Sequence, residues 1–418
     1  MRFTTLSAWL NWQETLAPKA IDLGLERVRA VAERLGLTHP NCPVITVAGT
    51  NGKGSVVAML SSMLCVAGYR VGAYTSPHLQ RYNERVCVDE APVDDTRLCA
   101  AFAAIDAARG DLRLTYFEFG TLAALWCFAQ SNVDVMVLEV GLGGRLDAVN
   151  ILDADVAVVT TIDLDHADWL GDTREQVARE KVGIQRVGRP LVCGDRNPPD
   201  TLLRAAAEVG SHLLRIGLDF DVEWHDGRLL WRHDGCEESL PAPGLRGVFQ
   251  ADNAACACMA LACLEARLPM DARARSDGLA RTRLAARFES LPNAACPVVC
   301  DVAHNPQAAR ALADQLSATP VNGRNLAVFS ALSDKDVRGI VAAMDAQIDH
   351  WFVGGLEAPR GLATNDLIGR MGQLRGRIDG CEKIADAYAM ASCAAEPDDR
   401  IVIFGSFLTV AVVRQGRV

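Results

Sequence analysis

Runs of apolar residues alternate with amphipathic stretches along most of this chain. Four β-favouring runs stand out in the first half: Val44–Ala48, Val71–Thr75, Val133–Val140 and Asp155–Ile162. Helical spacing of apolar residues occupies the stretches around them, at 56–68, 96–108, 120–130 and 173–185, and two helical runs within 1–43 predict a pair of surface helices. Because apolar strands that alternate with helices are typical of parallel sheets, the pattern predicts a doubly wound α/β domain.

The pattern changes between residues 211 and 240, where short alternating segments with Gly and Asp turns predict a small β-rich insertion. A helix at 253–266 follows, and a linker is expected near 281–287. The α/β alternation then resumes with strands at 298–301, 326–329, 351–353 and 401–404 and helices at 307–316, 336–346, 364–371 and 384–393. The sequence therefore predicts two domains, 1–284 and 285–418, the second smaller and Rossmann-like.

Composition narrows the class of protein. Half of the 418 residues are hydrophobic and the net charge is −10, without a dense Lys/Arg block, which argues against a nucleic-acid or anionic-membrane surface. The fourteen cysteines are scattered and form no C-x-x-C pair, as expected for reduced thiols. The N-terminus lacks the clean apolar stretch of a signal peptide, and no run approaches about 20 apolar residues. We expect a cytoplasmic, monomeric protein that acts on small molecules.

The stretch Val44–Ser55, VITVAGTNGKGS, predicts a strand, a glycine-rich loop and a helix in direct succession. Glycines let successive backbone N–H groups point toward an anion, the helix N-terminus adds partial positive charge, and Lys53 adds a full one. Ser55 would offer a hydroxyl to the magnesium ion that accompanies ATP. The fit to the usual P-loop is imperfect, because Val47 replaces its first glycine and Gly54 separates Lys53 from Ser55. A simple chain reversal stays open on the pattern alone.

Polar side chains follow three of the predicted strands at their carboxyl ends. Ser76 and His78 flank Pro77 after the second strand, Glu139 closes the third, and Asp163-Leu164-Asp165-His166 follows the fourth. Ligands of open α/β sheets bind at this edge. A carboxylate that ends a buried strand beyond a phosphate loop suits a magnesium ligand or a group that holds water.

Two further features are ambiguous on the pattern alone. The segment 114–118, Leu-Thr-Tyr-Phe-Glu, is equally consistent with a capped helix start and with a ligand platform. Lys181 lies in a predicted helix, where a single lysine is usually a solvated surface residue.

Nine motifs in order along the chain resemble the folylpolyglutamate synthases, and most closely the bacterial bifunctional form that is also a dihydrofolate synthase, within the Mur ligase superfamily. They are AGTNGKGS (48–55), SPHL (76–79), YFE (116–118), LEVGLGGRLDAVN (138–150), LDHADWLG (164–171), REKVGI (179–184), DVAHNP (301–306), SDKD (333–336) and GSF (405–407). The glycine between the lysine and the serine of the loop is this family's own form of the P-loop.

The resemblance implies a two-domain, Mur-ligase-like α/β fold with an N-terminal P-loop ATPase-type domain. It also implies an ATP-dependent amide ligase that requires Mg²⁺. ATP would phosphorylate the carboxylate of 7,8-dihydropteroate or of a folate, and the α-amine of L-glutamate would attack the acyl phosphate. Such an activation is chemically sensible, because a carboxylate is a poor electrophile and the phosphate is a good leaving group.

The resemblance also carries roles to particular residues. Nucleotide contacts are implied for Gly52, Lys53, Gly54, Ser55, Asn253, Arg287 and Asp301. Magnesium ligation is implied for Ser76, Glu139 and His166. Pterin contacts are implied for Asp22, Leu23, Gly24, Leu25, Thr115, Tyr116, Phe117, Glu118, Leu146, Asp147 and Ala148. Catalytic roles are implied for Lys53, Glu139, His166 and Lys181, the last as a lysine carbamylated by carbon dioxide.

The chain departs from the family pattern at three points in the second domain. Ala285-Ala286 replaces the usual Pro-Gly before Arg287, Ser333 and Leu408 stand where histidines are common, and these changes weaken the Arg287 assignment most. Two alternatives remain open. A Mur-type cell-wall amino-acid ligase shares the loop but lacks the YFE and LEVGLGGRLDA segments, and a nucleotide-switch ATPase would need a partner-facing switch that no motif marks.

Overall fold

The computed structural model describes residues 2–17, 22–291 and 296–415. The chain forms two compact units. The first comprises Met1–Gly244 and Gln250–Arg283, and the second comprises Leu245–Phe249 and Leu284–Val418. Each unit has its own sheet and its own hydrophobic core.

An eight-stranded sheet organises the first unit, in the order β4-β3-β2-β5-β1-β6-β7-β8. Its strands are β1 (Val44–Ala48), β2 (Val71–Tyr74), β3 (Val86–Val88), β4 (Ala91–Pro92), β5 (Val135–Glu139), β6 (Val156–Val159), β7 (Pro190–Cys193) and β8 (His212–Arg215). Strands β2, β5, β1, β6, β7 and β8 run parallel, while β3 and β4 form an antiparallel edge. The strand order reverses at β1, which lies between β5 and β6, so the crevice that parallel α/β sheets use for ligands lies at its carboxyl end.

Helices cover both faces of this sheet, as short parallel crossovers require. They are α1 (Leu6–Leu16), α2 (Glu26–Arg34), α3 (Lys53–Val66), α4 (Asp95–Arg109), α5 (Tyr116–Ser131), α6 (Ala167–Leu170), α7 (Arg174–Val182), α8 (Asp200–Val209), α9 (Gln250–Ala262) and α10 (Ala272–Arg281). Helices α1 and α2 pack on α4 and α5 and bury Trp9 and Val28 completely. The predicted pair of surface helices therefore forms part of the core, because each helix has one apolar face.

The predicted β-rich insertion is smaller than expected. Strands β9 (Phe220–His225), β10 (Arg228–His233) and β11 (Cys236–Leu240) form a separate antiparallel sheet. The two hairpins turn at Asp226-Gly227 and Asp234-Gly235, where all four residues have positive φ, as two-residue type I′ turns require. Strand β8, which we expected in the insertion, instead extends the main sheet beside β7.

The second unit repeats the α/β plan on a smaller scale. Its strands are β12 (Glu289–Ser290), β13 (Val298–Cys300), β14 (Asn325–Phe329), β15 (His350–Gly355), β16 (Arg377–Lys383) and β17 (Arg400–Phe404). They pair in the order β12-β13-β17-β14-β15-β16, and all pairs except β12 with β13 are parallel. Its helices are α11 (Pro306–Ala318), α12 (Val337–Met344), α13 (Thr364–Met371), α14 (Ile384–Ala394) and α15 (Phe407–Gln415). Phe329, Trp351 and Phe404 meet at the centre of its core.

The turn that leads into β12 contains an alanine in a left-handed conformation. Ala286 has φ 58° and is fully buried, in a position where the resembled family usually has glycine. Two hydrogen bonds hold it: its N–H donates to Glu289 Oε2 at 2.7 Å, and its carbonyl accepts from Val302 N at 3.1 Å. The turn therefore persists without glycine, at the conformational cost of about 1 kcal/mol that a left-handed L-residue carries.

We expect Ala286→Val to lower the free energy of unfolding by about 2 kcal/mol or more, because a β-branched side chain strongly disfavours this conformation and the site is closed. The adjacent Ala285 is exposed and has no positive φ, so Ala285→Val is the matched control and should change stability by less than about 0.5 kcal/mol. Urea unfolding measures both. Equal losses in the two variants would contradict a conformational cause.

Candidate active site

Four parallel strands deliver the predicted site residues to one sheet edge. The glycine loop follows β1, Ser76 follows β2, Glu139 ends β5, and residues 163–166 follow β6. Because β2, β5, β1 and β6 are neighbours in the sheet, their carboxyl ends are adjacent. The sequence prediction that these polar groups share one edge is consistent with this topology.

The glycine loop leads directly into α3. Gly52 caps this helix with φ 88°, and a Cβ there would lie 2.5 Å from Asn253 Oδ1, so the position requires glycine on both counts. No side chain caps the N-terminus of α3. The partial positive charge of this helix end favours an anion. Lys53 Nζ donates to the carbonyls of Gly49 at 2.9 Å and Thr50 at 3.2 Å.

Helix α9 closes over the start of α3. Gln250 Nε2 donates to Ser55 Oγ at 3.4 Å, and Asn253 Nδ2 donates to Gln250 Oε1 at 2.9 Å. Gln250 is a site residue that the sequence analysis missed. Its spacing of three from Asn253 on one helix face is the feature that could have indicated it.

Strand β6 and the residues after it hold the loop from the other side. Thr160 Oγ1 donates to Asn51 O at 2.5 Å, and Asn51 N donates to Thr161 Oγ1 at 3.2 Å. Thr50 and Asp163 exchange two hydrogen bonds, through Thr50 Oγ1 to Asp163 O at 2.9 Å and Asp163 N to Thr50 Oγ1 at 3.0 Å. These bonds fix the loop against a rigid strand.

The predicted magnesium ligands suit an ion that arrives with phosphates. Glu139 is buried and accepts the N–H of Ser76 at 3.1 Å, which places a carboxylate beside the seryl residue. His166 precedes α6 in a left-handed conformation, and its ligand role stays a prediction. Across the described parts of the chain, no three His, Cys, Asp or Glu side chains form a group that could hold a metal alone. Mg²⁺ needs no such cage, since one carboxylate plus substrate phosphates and water is its usual environment.

Lys181 is buried, contrary to the expectation from its spacing. It is 4% exposed, and its Nζ donates to Gly49 O at 2.9 Å, the carbonyl that Lys53 also contacts. Burial, and after it the charge of Lys53, lowers the pKa of Lys181 to about 7, although the charges of Asp165 and Asp147 oppose the shift. A substantial fraction of this amine is therefore neutral at physiological pH.

The approach of Lys181 to the loop depends on a close fit between α7 and the segment after β5. A Cβ at Gly144 would lie 2.8 Å from the carbonyl oxygen of Glu180 and 2.9 Å from that of Lys181, so only glycine fits there. Arg145 N donates to the same Glu180 carbonyl at 2.8 Å. Asn150 Nδ2 donates to Arg145 O at 2.9 Å and to Gly183 O at 3.1 Å, which ties the two segments on the other side.

Asp147 is a second buried titratable group in this segment. It accepts hydrogen bonds from Leu142 N at 2.8 Å and Val149 N at 3.1 Å. Burial raises the pKa of Asp147 to about 7 despite these bonds and the opposing charge of Lys53. Its predicted neighbours differ in exposure, since Ala148 is buried and Leu146 is half-buried.

The three predicted pterin segments are connected by two contacts. Arg27 Nη1 lies 2.6 Å from Asp22 Oδ2, and Arg27 Nε donates to Glu118 Oε2 at 2.9 Å, so one guanidinium joins the first segment to the second. Phe117 packs against the backbone of Gly141, where an added Cβ would lie only 2.5 Å from the aromatic ring. This contact joins the second segment to the loop that carries the third. Arg27 was not predicted as a site residue, although its position five residues after Asp22 could have indicated it.

The other members of these segments form the surfaces between those contacts. Leu23, Gly24 and Leu25 make up the half-buried approach to α2. Thr115 caps α5 by accepting the N–H of Glu118 at 3.2 Å, while Glu118 Oε2 accepts Thr115 N at 2.7 Å. The capped helix start is thus present, and Tyr116 is left half-buried beside it.

Two predicted nucleotide residues belong to the second unit. Asp301 follows β13 and accepts the N–H groups of Phe288 and Ala303, both at 2.8 Å. Burial raises the pKa of Asp301, and the Arg287 guanidinium opposes this shift. The Arg287 guanidinium carbon lies 5.6 Å from the Phe407 ring centroid, a cation–π distance. Their contact with a nucleotide stays a prediction.

Comparison with known proteins identifies the family. The Mur ligase middle domain matches residues 47–261, and the Mur ligase glutamate ligase domain matches residues 286–407. The dihydrofolate synthase/folylpolyglutamate synthase of Escherichia coli strain K12 is 46% identical over 413 residues, which cover 98% of this chain and 95% of that protein. The protein of the same name from Haemophilus influenzae is 39% identical over an alignment of 428 residues, and the match covers 97% of this chain and 96% of that protein.

Solved structures agree. A complex of E. coli FolC with DHPP and ADP has a TM-score of 0.94 and 44% identity, and the match covers 99% of this chain and 98% of that one. A bifunctional folylpolyglutamate synthase/dihydrofolate synthase with Mn, AMPPNP and L-glutamate bound has a TM-score of 0.92 and 41% identity, with 99% and 98% of the two chains covered. The predicted two-domain Mur-ligase-like fold is confirmed. The chain belongs to the dihydrofolate synthase/folylpolyglutamate synthase family of Mur ligases.

Proposed function

We propose that this chain is an ATP-dependent ligase that adds L-glutamate to 7,8-dihydropteroate, forming dihydrofolate, and to reduced folates, forming folylpolyglutamates. The observation that carries the proposal is the convergence of Lys53 and Lys181 on the carbonyl of Gly49, at the sheet edge where Ser76 and Glu139 meet. The relatives described above, whose names and bound ligands are those of this activity, support it.

The residues of the site suit a phosphoryl transfer to a carboxylate. The N-terminus of α3 and Lys53 would hold the ATP phosphates, and Gly52, Gly54 and Ser55 would line the same loop. A magnesium ion bound through Ser76, Glu139 and His166 would neutralise phosphate charge. A substrate carboxylate oxygen attacks the γ-phosphorus as the bond to ADP breaks, and the amine of glutamate then displaces phosphate to form the amide.

The two alternatives fit the chain less well. A Mur-type cell-wall ligase would not explain the pterin-matching segments that Arg27 and Phe117 connect. A nucleotide-switch ATPase would not explain a buried lysine beside the phosphate loop.

We further propose that the enzyme is a cytoplasmic monomer, with 1–284 as the ATP- and pterin-binding domain and 285–418 as the glutamate-ligase domain. The described helices include none long and apolar enough to cross a membrane.

ATP turnover by the purified protein tests the proposal directly. We expect sustained ADP release over many turnovers only when both 7,8-dihydropteroate and L-glutamate are present with Mg²⁺, and stoichiometric formation of dihydrofolate. A switch ATPase would release ADP without either substrate, and a cell-wall ligase would respond to neither. Either result would refute the proposed reaction.

We also propose that Lys181 is carbamylated. The ammonium first loses a proton, and the neutral amine then attacks the carbon of carbon dioxide. A C–N bond forms as one C–O π bond opens, and a second proton is lost to solvent, so an ammonium cation becomes a carbamate anion. The lowered pKa of Lys181 supports this chemistry, because only the unprotonated amine reacts. An anion beside the phosphate loop can orient magnesium or its ligands, whereas an ammonium would repel the ion.

Substitution of Lys181 should therefore be severe and chemically reversible. We expect Lys181→Ala to lower kcat roughly 100- to 1000-fold, as loss of a charged group at a transition state does, and acetate to restore part of the activity by occupying the vacated space. Carbon-13 NMR in labelled bicarbonate should show a carbamate resonance that this variant lacks. Lys383→Ala is the control and should keep the carbamate resonance. The exposed ammonium of Lys383 pairs with Glu357 at 3.0 Å and should not react with carbon dioxide. A wild-type spectrum without the resonance would refute carbamylation.

A further inference from the structure

An arginine outside the predicted site lies between the segments that carry the metal ligand and the pterin contacts. Arg85 ends the 3₁₀ turn Tyr82–Arg85 and leads into β3. Its carbonyl accepts Thr75 N at 2.9 Å, directly before Ser76. The backbone of Arg85 is therefore fixed beside the loop that carries the predicted metal ligand.

The guanidinium of Arg85 is held in place by a histidine and two tyrosines. Its Nε donates to His78 Nδ1 at 2.9 Å. Its central carbon lies 5.4 Å from the ring centroid of Tyr82 and 5.6 Å from that of Tyr116. The two rings meet edge to face at 5.6 Å, so the guanidinium lies against a preformed aromatic corner. Tyr116 belongs to the second predicted pterin segment, and the backbone of Arg85 lies beside the residue before Ser76. Arg85 therefore contacts both the segment of the predicted metal ligand and a predicted pterin segment.

This half-buried cation has no carboxylate partner in the part of the chain that the structure describes. The adjacent Glu84 cannot serve, because its carboxylate accepts three backbone N–H groups, from residues 79, 80 and 81. Some half-buried arginines pair with an acid, as Arg27 does with Glu118. Others donate to main-chain carbonyls, as Arg97 does to Cys127 O at 3.1 Å. The described hydrogen bonds of the Arg85 side chain include neither kind of acceptor. A desolvated charge without a counter-ion is costly, so its retention here indicates an anionic ligand.

We propose that Arg85 binds the carboxylate of the pteroate-type substrate through its two terminal nitrogens. The inference rests on the proposed function, which requires a carboxylate between the pterin segments and the phosphate loop. A guanidinium can hold both carboxylate oxygens as a fork, and its charge also favours the acyl phosphate, which carries more negative charge than the carboxylate. His78, which accepts the Nε–H, is then a positioning residue that directs the fork.

A comparison of two ligands separates this role from a structural one. The ligands are 7,8-dihydropteroate and its analogue without the carboxylate, and calorimetry in the presence of a non-hydrolysable ATP analogue gives both affinities. We expect the wild-type protein to prefer the carboxylate by roughly 10- to 100-fold, the usual effect of hydrogen bonds to a charged group. Arg85→Met should abolish this preference, weakening the pteroate and leaving affinity for the analogue unchanged. ATP-analogue affinity should stay within about twofold of wild type.

Arg70→Met is the matched control. Arg70 precedes the opposite end of β2, is exposed, and pairs with Asp89, so its removal should leave the ligand preference at the wild-type value. If Arg85→Met does not fold, Arg85→Lys serves, because lysine keeps the charge but cannot donate as a fork. An intermediate preference in that variant supports the proposal, and a full wild-type preference contradicts it.

Two outcomes for Arg85→Met would overturn the inference. Equal weakening of both ligands would mean that Arg85 only supports the aromatic corner, and an undiminished preference would mean that the carboxylate binds elsewhere. Failure of the wild-type protein to bind the pteroate would instead refute the proposed function, and it is recognised in the wild-type measurement before any variant is compared.

Discussion

Two lysines donate hydrogen bonds to one backbone carbonyl in this protein, and the loops and helices around the carboxyl end of β1 hold them there. Lys53 Nζ and Lys181 Nζ both lie 2.9 Å from Gly49 O, and Lys181 is buried. Two ammonium groups so close repel each other, and burial disfavours charge, so Lys181 is the group that loses its proton first. The site thus presents one fixed cation for phosphate and one reactive amine.

Burial of the Lys181 amine beside Lys53 lowers the free energy of unfolding, and packing elsewhere in the fold must offset this loss. The pKa of Lys181 is about 7 in the folded protein and 10.5 as its ordinary value. The unfolded chain therefore binds the proton more tightly between these limits, and stability rises as pH increases through that range. Below pH 7 the lysine is protonated in the folded protein too, and the free energy of unfolding is lowered by the full cost of burying that charge. The close packing of Gly144 and Asn150 against the end of α7 holds the lysine in place against this cost.

The fold itself was largely predictable because its dominant signals are local. Buried parallel strands are continuous apolar runs, and the loop with Gly52 and Lys53 has a definite backbone requirement. Strand β16 was missed because it is an edge strand with mostly exposed, polar side chains. Lys181 was misjudged from spacing, since a lysine on a short polar helix appears solvated until tertiary packing buries it, and only the family motif indicated its role. Gln250 and Arg27 act through contacts with distant segments, which no local pattern contains.

A direct titration of Lys181 tests the central claim that burial beside Lys53 makes this amine reactive. The chain has five lysines, so the ε-carbon resonances of lysine-labelled protein can be assigned by single substitutions and followed against pH without nucleotide or carbon dioxide. We expect a pKa of about 7 for Lys181 and a higher pKa for this lysine in Lys53→Met; Lys383, whose pKa is raised above its ordinary value, is the internal reference. An ordinary pKa near 10.5 for Lys181, unchanged in Lys53→Met, would contradict it.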